Sequence, residues 1–479
     1  MSEKRKILFA APEALPFAAT GGLGDVIGSL PVVLAADDTN DVRVMLPYYA
    51  DISENYRADI KLLTELDVYL AWRKQHCCVY YLNYEGVTFY FLENEYYFNR
   101  QGLYGYYDDG ERFAFFSKAV LAAAEKIGFV PDVIHAHDWQ TALVPVFYQT
   151  FYRLAPGWGN VKTMITIHNI EYQGKLNRSL LGDLIGLSAE WLPVMEFNGL
   201  INLIKGAVCV ADKVGTVSYS YSRELHYAFF AHGLENIIAE NSHKMIGILN
   251  GIDQDMYNPK TDPALFVNYT YRSLEKKAVN KERLQRLVNL PESPDTPVVA
   301  IISRMVASKG FDLMMCVMEE LLTEKVQFIV LGCGDKKYED FFRWTAYKYP
   351  AKMAALITYD RDLSHKIYAG ADILLMPSMI EPCGLAQMIA SRYGTVPIVR
   401  AIGGLRDSIT DYENKGGNGF VFENFNAHEM LEAIRRALYL YTDKEAWSKL
   451  SGHVMRRDFS WKKSADDYMA AYEELLKRG

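Results

Sequence analysis

Residues 298–310 read VVAIISRMVASKG, and this stretch decides the fold of the second half of the chain. The run 298–303 is short, β-branched and uncharged, as in a strand buried on both faces of a parallel sheet. Apolar residues Leu313, Val317 and Leu321 then share one face of a helix, and the run 326–332 predicts the next strand. Strand, helix and strand in this order form one βαβ unit.

Two cations, Arg304 and Lys309, follow this strand. We interpret Lys309 as part of the first helical turn, where a cation is unfavourable unless an anion lies beside it. The stretch therefore predicts a phosphate site at the carboxyl edge of a sheet. The alternative is that Arg304 pairs with a nearby carboxylate and Lys309 points into water.

Length and composition limit the classes of protein that the chain can belong to. With 479 residues it is too long for one hydrophobic core and predicts two or three domains. Hydrophobic residues make up 50% and charged residues 23%, which is typical of a globular protein. The net charge of -8 gives no general reason to bind nucleic acid, so any polyanion site must be local.

The cysteines and apolar runs indicate the compartment. Six cysteines are thinly spread without paired metal spacing, so a reducing compartment fits better than a disulfide framework. Pro12, Glu13 and Pro16 interrupt the apolar run that follows Lys4-Arg5-Lys6, and we interpret this run as the first strand rather than a signal peptide. No run approaches the roughly 18 apolar residues that span a membrane. We expect a cytoplasmic protein that binds neither membrane nor nucleic acid.

The order of the apolar runs predicts an α/β protein with two doubly wound, Rossmann-like domains facing each other across a cleft. The first domain takes residues 1–248 and the second takes 249–458. Residues 459–479 form a helix that returns to the first domain. Alternating polar and apolar residues between 56 and 98 predict an antiparallel excursion from the first sheet.

Two glycine loops resemble each other: Thr20-Gly21-Gly22-Leu23-Gly24-Asp25 and Ile402-Gly403-Gly404-Leu405-Arg406-Asp407. Each follows a strand-like run and precedes a helix, an arrangement that lets backbone N–H groups approach a phosphate. Tight packing is the alternative explanation for the glycines, and short glycine runs also resemble each other by chance.

Polar residues follow two further strands of the first domain. Asp138 comes after the run 133–137, and His168 comes after the run 162–167. Because ligands bind at the carboxyl edge of an open α/β sheet, we expect both side chains to line one crevice. A histidine that merely caps its strand is the alternative.

A pair of histidines, His135 and His137, shares one face of the strand before Asp138. Such a pair could bind a metal ion. No further ligand lies at a matching spacing, so we expect no metal there.

A loop at residues 99–105 places Tyr104 and Asn99 beside glycine. A sugar-binding surface uses such residues, because an aromatic face covers the sugar's C–H groups and amides bond its hydroxyls. Ordinary loop packing explains the same residues.

Taken together, the motifs resemble the bacterial glycogen synthase and plant starch synthase family, retaining glucosyltransferases of the two-domain GT-B fold. The likeness covers nearly the whole chain in order. It rests on the Gly21-Gly22-Leu23 loop, residues 135–139, 166–169 and 248–253, Ser303-Arg304 with Lys309-Gly310, and Pro377-Ser378 with 381–385. The run Glu381-Pro382-Cys383-Gly384-Leu385, with Arg392-Tyr393-Gly394 and the second glycine loop after it, is close to diagnostic of this group.

The resemblance implies transfer of glucose to the non-reducing 4-hydroxyl of an α-1,4-glucan or maltooligosaccharide, with the anomeric configuration kept. ADP-glucose is the expected donor, and UDP-glucose stays open. A departing diphosphate needs cations more than a proton donor, and Arg304 and Lys309 supply them. At about 4 Å and an effective dielectric of about 20, one such contact is of order 4 kcal/mol before desolvation. No cofactor and no metal ion is then required.

The resemblance also implies roles for single residues. His168 would hold the donor glucose near its 6-hydroxyl, Glu381 would lie by the sugar ring, and Asp138 would lie on the opposite wall. Tyr104 and Asn169 match acceptor-side positions. We assign no covalent nucleophile, because a front-face mechanism needs none, and the sequence leaves a double displacement open.

Binding of the nucleotide sugar is implied for a larger set, in which an aromatic residue stacks on the adenine. That aromatic residue is Tyr359. The others are Gly21, Gly22, Asp25, Asn250, Cys383, Gly384, Leu385, Gly403 and Gly404.

Three positions depart from the family pattern. Ala19 stands where the first loop usually begins with lysine, Ala386 where threonine or serine is common, and Ile402 where threonine is frequent. They motivate a second hypothesis, a non-catalytic or weakly active glucan-binding relative that helps to initiate polymer. A third is a transferase of the same fold that acts on another acceptor.

Overall fold

The computed structural model describes residues 4–477, in which the chain forms two compact units. The first unit comprises the chain up to Gly251 together with the residues from Trp461 onward, and the second runs from Ile252 to Ser460. Each unit is built on a mainly parallel sheet with helices connecting its strands. The predicted class of two Rossmann-like α/β units is confirmed.

The first unit contributes the following elements. Its strands are β1 (Arg5–Ala10), β2 (Asn40–Pro47), β3 (Lys61–Leu70), β4 (Arg73–Tyr84), β5 (Val87–Glu93), β6 (Val133–His137), β7 (Lys162–Ile167), β8 (Lys175–Asn177), β9 (Glu196–Phe197), β10 (Leu200–Asn202), β11 (Lys213–Thr216) and β12 (Met245–Gly247). Its helices up to residue 251 are α1 (Gly22–Ala35), α2 (Glu54–Arg57), α3 (Glu95–Phe98), α4 (Asp109–Lys126), α5 (Leu143–Phe147), α6 (Leu192–Met195), α7 (Leu203–Val210), α8 (Tyr219–Glu224), α9 (Ala228–Ala231) and α10 (Glu235–Glu240).

Nine of these strands form one sheet in the order β12-β11-β7-β6-β1-β2-β5-β4-β3. Neighbours pair in parallel from β12 to β5, whereas β4 runs antiparallel to both β5 and β3, as the alternation between residues 56 and 98 predicted. Strand β1 lies between β2 and β6, so the chain reverses its direction of winding there. The topological switch point, where ligands bind in such sheets, therefore lies between β1 and β6, and β7 lies beside β6.

The second unit contains a six-stranded sheet. Its strands are β13 (Val298–Ile302), β14 (Gln327–Leu331), β15 (Met353–Leu356), β16 (Ile373–Met376), β17 (Val396–Arg400) and β18 (Phe420–Phe422). Its helices are α11 (Glu275–Leu287), α12 (Phe311–Leu321), α13 (Lys336–Lys348), α14 (Arg361–Gly370), α15 (Ala386–Arg392), α16 (Gly403–Ser408), α17 (Ala427–Thr442) and α18 (Lys444–Val454).

The strands of this sheet are parallel in the order β15-β14-β13-β16-β17-β18. The predicted βαβ unit at 298–331 lies at its centre: Val298, Val299 and Ala300 are fully buried, and Val299 shares one hydrophobic core with the apolar face of α12. The switch point lies between β13 and β16. The loops after these two strands are therefore where a ligand of this unit is expected.

The last helix, α19 (Trp461–Lys477), packs against α1 in the first unit. Its Tyr472 hydroxyl lies 2.7 Å from Nδ1 of His135, and the Ser464 hydroxyl donates to the Leu249 carbonyl at 2.6 Å. Across residues 4–477, the helices are all too short or too polar to cross a bilayer.

Candidate active site

Arg304, in the loop between β13 and α12, is exposed. Within the described part of the chain its guanidinium has no hydrogen-bond or ion-pair partner. Pairing with a carboxylate, the alternative raised from the sequence, is therefore wrong for this residue. An unpartnered guanidinium at the carboxyl edge of a central strand is available to an anion.

Lys309 is held by a buried carboxylate. Its Nζ donates to both oxygens of Glu381, at 2.8 and 2.7 Å, and the Ser378 hydroxyl donates to the second of them at 2.9 Å. The Glu381 side chain is only 8% exposed, and that of Lys309 is 20% exposed. The lysine does not point into water. Its ammonium is held between the loop after β13 and the loop after β16.

The position of Lys309 differs from the one predicted. It lies in a single 3₁₀ turn, Ala307–Lys309, and α12 begins only after Gly310, which has a φ of 78°. A Cβ on Gly310 would lie 2.0 Å from the Pro377 carbonyl oxygen, so only glycine allows this close approach. The cation therefore precedes the helix, and the carboxylate of the β16 loop, rather than the helix dipole, sets its environment.

The second glycine loop packs against the backbone of the turn that carries the Glu381 carboxylate. Gly403 has a φ of 44°, and a Cβ there would lie 2.0 Å from the Glu381 carbonyl oxygen. A Cβ on Gly404 would lie 2.1 Å from the Cys383 carbonyl oxygen. Close packing of two backbones thus explains both glycines, and it fixes the turn that carries Glu381.

The remaining nucleotide-site candidates of this unit lie around the same edge. Cys383 is buried, Gly384 has a φ of 73°, and Leu385 is the residue before α15. Tyr359, beyond the end of β15, has 84% of its surface exposed. An exposed aromatic ring beyond a strand end can stack on a flat base.

In the first unit, a buried glutamate that the sequence analysis missed holds the first glycine loop. Glu13 is 4% exposed and accepts hydrogen bonds from the Thr20 N–H at 2.6 Å, the Thr20 hydroxyl at 2.8 Å and the Gly21 N–H at 3.3 Å. The Tyr104 hydroxyl donates to it at 2.7 Å. Glu13 lies three residues after the end of β1, and a polar residue shortly after a strand is the signal that singled out Asp138 after β6.

Packing does not explain Gly21. A Cβ built on this residue would meet no heavy atom of residues 4–477 within 4 Å, whereas one on Gly24 would lie 2.3 Å from the Ala19 Cβ. Gly22 begins α1, and Asp25 lies half-buried in the first turn of that helix. Gly21 therefore leaves an open approach to the backbone, which tight packing would not require.

Asp138 adopts a strained backbone, with a φ of 59° that non-glycine residues rarely occupy. Its Oδ1 accepts hydrogen bonds from the His168 N–H at 2.7 Å and the Asn169 N–H at 3.4 Å, so the two strand ends meet as predicted. Burial raises the pKa of Asp138 to about 7, although these two N–H donors oppose the rise. The carboxyl can therefore exchange a proton near neutral pH.

His168 is neutral at physiological pH because burial lowers its pKa to about 3. Its Nε2 lies 3.0 Å from Nδ1 of His137, whose own pKa burial also lowers. His135 is a structural residue: its two ring nitrogens contact Tyr472 and Thr166, each at 2.7 Å. Because both ring nitrogens of His135 already contact hydroxyl groups, neither is available to bind a metal ion together with His137.

Two amides complete the candidate set. The Asn169 side chain accepts from the Glu171 N–H at 3.0 Å, and Asn250 is 5% exposed. The buried Oδ1 of Asn250 has no hydrogen-bond partner in the described residues. A buried polar atom without a partner is costly unless a ligand or water satisfies it.

The raised pKa of Asp138 predicts a pH dependence of stability. The pKa of this carboxyl is 3.8 ordinarily and about 7 in the folded protein. Its contribution to the free energy of unfolding is therefore fully present below about pH 4, and it is lost as the pH rises through 7 because the folded protein must then bury a charge. Asp138→Asn removes this loss. We expect the Tm of the variant minus that of the unmodified protein to increase from pH 4 to pH 8, measured by calorimetry without nucleotide. A difference that stays constant with pH would contradict the burial of this charge.

Comparison with known proteins decides the family. Residues 6–240 match the family model of the starch synthase catalytic domain, and residues 285–451 match that of glycosyl transferases group 1. Glycogen synthase from Geobacillus thermodenitrificans is 46% identical over 477 residues, which cover 99% of this chain and 98% of that protein. The chain belongs to the glycogen synthase and starch synthase family. Glycogen synthase from Desulforamulus reducens is likewise 46% identical, over 99% of both chains.

A solved structure extends the family match to the fold. The catalytic domain of starch synthase IV from Arabidopsis thaliana, bound to ADP and acarbose, is 34% identical with a TM-score of 0.93, over 99% of this chain and 100% of that one. The 479-residue chain is therefore a glycosyltransferase with the two Rossmann-like units of the GT-B class. Because its relatives match from end to end, a non-catalytic glucan-binding protein is not the favoured assignment.

Proposed function

We propose that the protein transfers glucose from ADP-glucose to the non-reducing 4-hydroxyl of an α-1,4-glucan and retains the anomeric configuration. The observation that carries this proposal is the pair of cations after β13, an unpartnered Arg304 and a Lys309 fixed by Glu381. The ADP and acarbose bound to the Arabidopsis enzyme support a nucleotide donor and a glucan acceptor.

In the second unit, we assign the diphosphate to Arg304 and Lys309. Negative charge grows on the bridging oxygen as the glycosidic bond breaks, so cations fixed beforehand stabilise the transition state more than the ground state. The two hydrogen bonds to Glu381 hold the Lys309 ammonium in a fixed position. Tyr359 covers the adenine, and the open turn at Cys383 and its neighbours faces the sugar.

In the first unit, we assign the sugar and acceptor contacts to the groups around Asp138. A neutral His168 can hydrogen-bond a sugar hydroxyl but does not neutralise a phosphate, so it suits the 6-hydroxyl of glucose. Asp138, whose pKa burial raises to about 7, can hydrogen-bond a sugar hydroxyl group in either protonation state. Tyr104 and Asn169 contribute an aromatic face and an amide for the acceptor.

The Glu381 carboxylate is a poor candidate for a covalent nucleophile. Both of its oxygens accept hydrogen bonds from Lys309, and one also accepts from Ser378, which lowers their nucleophilicity. This arrangement favours retention through a front-face ion pair over a double displacement. In such a mechanism the departing diphosphate itself receives the acceptor proton.

The direct test uses the purified protein with a short maltooligosaccharide and either ADP-glucose or UDP-glucose. We expect ADP release with an elongated product whose new linkage is α-1,4 by NMR, and a higher kcat/KM for ADP-glucose in direct competition. Faster turnover of UDP-glucose would overturn the donor assignment. Glucan binding without nucleotide release from either donor would favour the non-catalytic alternative.

Ala19 predicts a weak hold on the donor. It is half-buried beside Thr20 in the loop that Glu13 anchors, and it lacks the cation that the family usually has there. Ala19→Lys should lower KM for ADP-glucose about fivefold with little change in kcat, since a charge-assisted contact to an exposed phosphate is worth about 1 kcal/mol. Ala19→Gln, of similar length without charge, should not. An unchanged KM for the lysine variant would show that this loop does not border the donor.

We also propose that the enzyme acts in a reducing compartment, as expected for the cytoplasm. All six cysteines are free, including the buried Cys77 and Cys383. A protein exposed to oxidising conditions would be expected to pair some of them.

A further inference from the structure

The antiparallel hairpin β3–β4 of the first unit carries a cluster of side chains that the catalytic assignment does not use. One ligand-type atom each from Glu65, His76 and Cys78 lies within 4.8 Å of the other two. Nitrogen, sulfur and oxygen donors in one group are the set that zinc prefers.

The sheet register builds the cluster. Glu65 on β3 pairs with Cys78 on β4, and Cys78 pairs in turn with Glu93 on β5, so these side chains share one face. His76 lies two positions before Cys78 and therefore on the same face. Cys77 is fully buried on the opposite face. A well-paired sheet, rather than a mobile loop, thus sets the spacing of the donors.

Two of the three donor–donor distances match those of a tetrahedral site. Sγ of Cys78 lies 3.3 Å from Nε2 of His76, and the same nitrogen lies 3.6 Å from Oε2 of Glu65. Zinc bonds of about 2.0–2.3 Å at tetrahedral angles separate neighbouring ligand atoms by about 3.3–3.8 Å. The Cys78 sulfur and the Glu65 carboxylate oxygen thus both lie near one ring nitrogen of His76, as the ligands of one metal ion would.

We propose that Glu65, His76 and Cys78 form a zinc-binding site on the outer face of the β3–β4 hairpin, with water as the fourth ligand. On binding, the Cys78 thiol releases its proton to solvent and its sulfur bonds the metal as thiolate. Glu93 is a positioning residue: it interacts with the Cys78 thiol and accepts a hydrogen bond from the Tyr80 hydroxyl at 3.4 Å. The metal ties β3 to β4 and does not take part in glucosyl transfer.

The test uses Co²⁺ as a spectroscopic probe and Zn²⁺ in competition, on the full chain kept reduced. The unmodified protein should show a sulfur-to-cobalt charge-transfer band that one equivalent of Zn²⁺ removes. Cys78→Ser should abolish the band. Cys316→Ser, which changes an exposed cysteine on α12, is the matched control and should keep it.

Two further variants keep the proposal falsifiable if Cys78→Ser folds poorly. Glu65→Gln and His76→Ala change exposed side chains, and each should weaken Zn²⁺ at least about tenfold by isothermal titration. Zn²⁺ should also raise the Tm of the unmodified protein but not that of the variants. Absence of a cobalt band, or a band that survives in Cys78→Ser, would overturn the site, as would equal Zn²⁺ affinity in Glu65→Gln.

Discussion

Replacing Arg304 by alanine is expected to lower kcat/KM for ADP-glucose by between about 30-fold and 1000-fold while leaving the Tm unchanged. The size follows from one guanidinium–diphosphate contact, of order 4 kcal/mol at an effective dielectric of about 20, of which desolvation removes up to half. Stability should not change, because the side chain is exposed and has no partner within residues 4–477. Steady-state kinetics and calorimetry on the same preparation measure both quantities.

Two controls sharpen this experiment. Arg304→Lys keeps the charge but loses the planar fork, so it should recover part of the rate. Arg343→Ala removes another exposed arginine, one that pairs with Glu339 and Asp340 on α13, and should leave the kinetics unchanged. If Arg304→Ala turned over ADP-glucose at the normal rate, the diphosphate would have to bind elsewhere.

Replacing Lys309 by alanine should lower both activity and stability, and the two effects can be separated. The change leaves the Glu381 carboxylate buried with Ser378 as its remaining donor, and an uncompensated buried charge costs about 3 kcal/mol or more. Activity should fall by at least two orders of magnitude, because the same cation is assigned to the leaving group.

The double variant Lys309→Ala with Glu381→Gln tests this separation. Neutralising the carboxylate removes the buried charge, so the Tm should return most of the way to that of the unmodified protein. Activity should stay low, since no cation is restored. A double variant that regained activity along with stability would show that Lys309 acts only as a structural partner of Glu381.

Elements whose role follows from strand order could be predicted from the sequence. Apolar runs that end in polar residues placed Asp138 and His168 at one edge of a parallel sheet, and the hydrogen bond between them confirms that the strand ends meet. The same reasoning placed Arg304 at the end of the central strand of the second sheet. Parallel pairing aligns all carboxyl ends, so which residues share an edge follows from order alone.

Elements that depend on loop conformation could not be predicted. The pairing of Lys309 with Glu381 requires the left-handed Gly310 and its contact with Pro377, and nothing in the spacing of the two residues reveals it. The two glycine loops look alike in sequence, yet packing requires Gly403 and not Gly21. What differs is the neighbouring backbone, which only the folded chain supplies.

Register across strands is a third feature that linear spacing conceals. The cysteines show no paired metal spacing along the chain, and His76 and Cys78 alone are too few for a site. Glu65 joins them only because it lies opposite Cys78 on the neighbouring strand. A shift of one residue in this pairing would turn Glu65 to the other face of the sheet, away from His76 and Cys78.

The central claim is that the cations after β13 bind the diphosphate of the donor. An experimental structure of the protein with ADP bound tests it most directly. We predict that the Arg304 guanidinium and the Lys309 ammonium each lie about 3 Å from a diphosphate oxygen. A well-ordered ADP whose phosphate oxygens contact neither group would contradict the account.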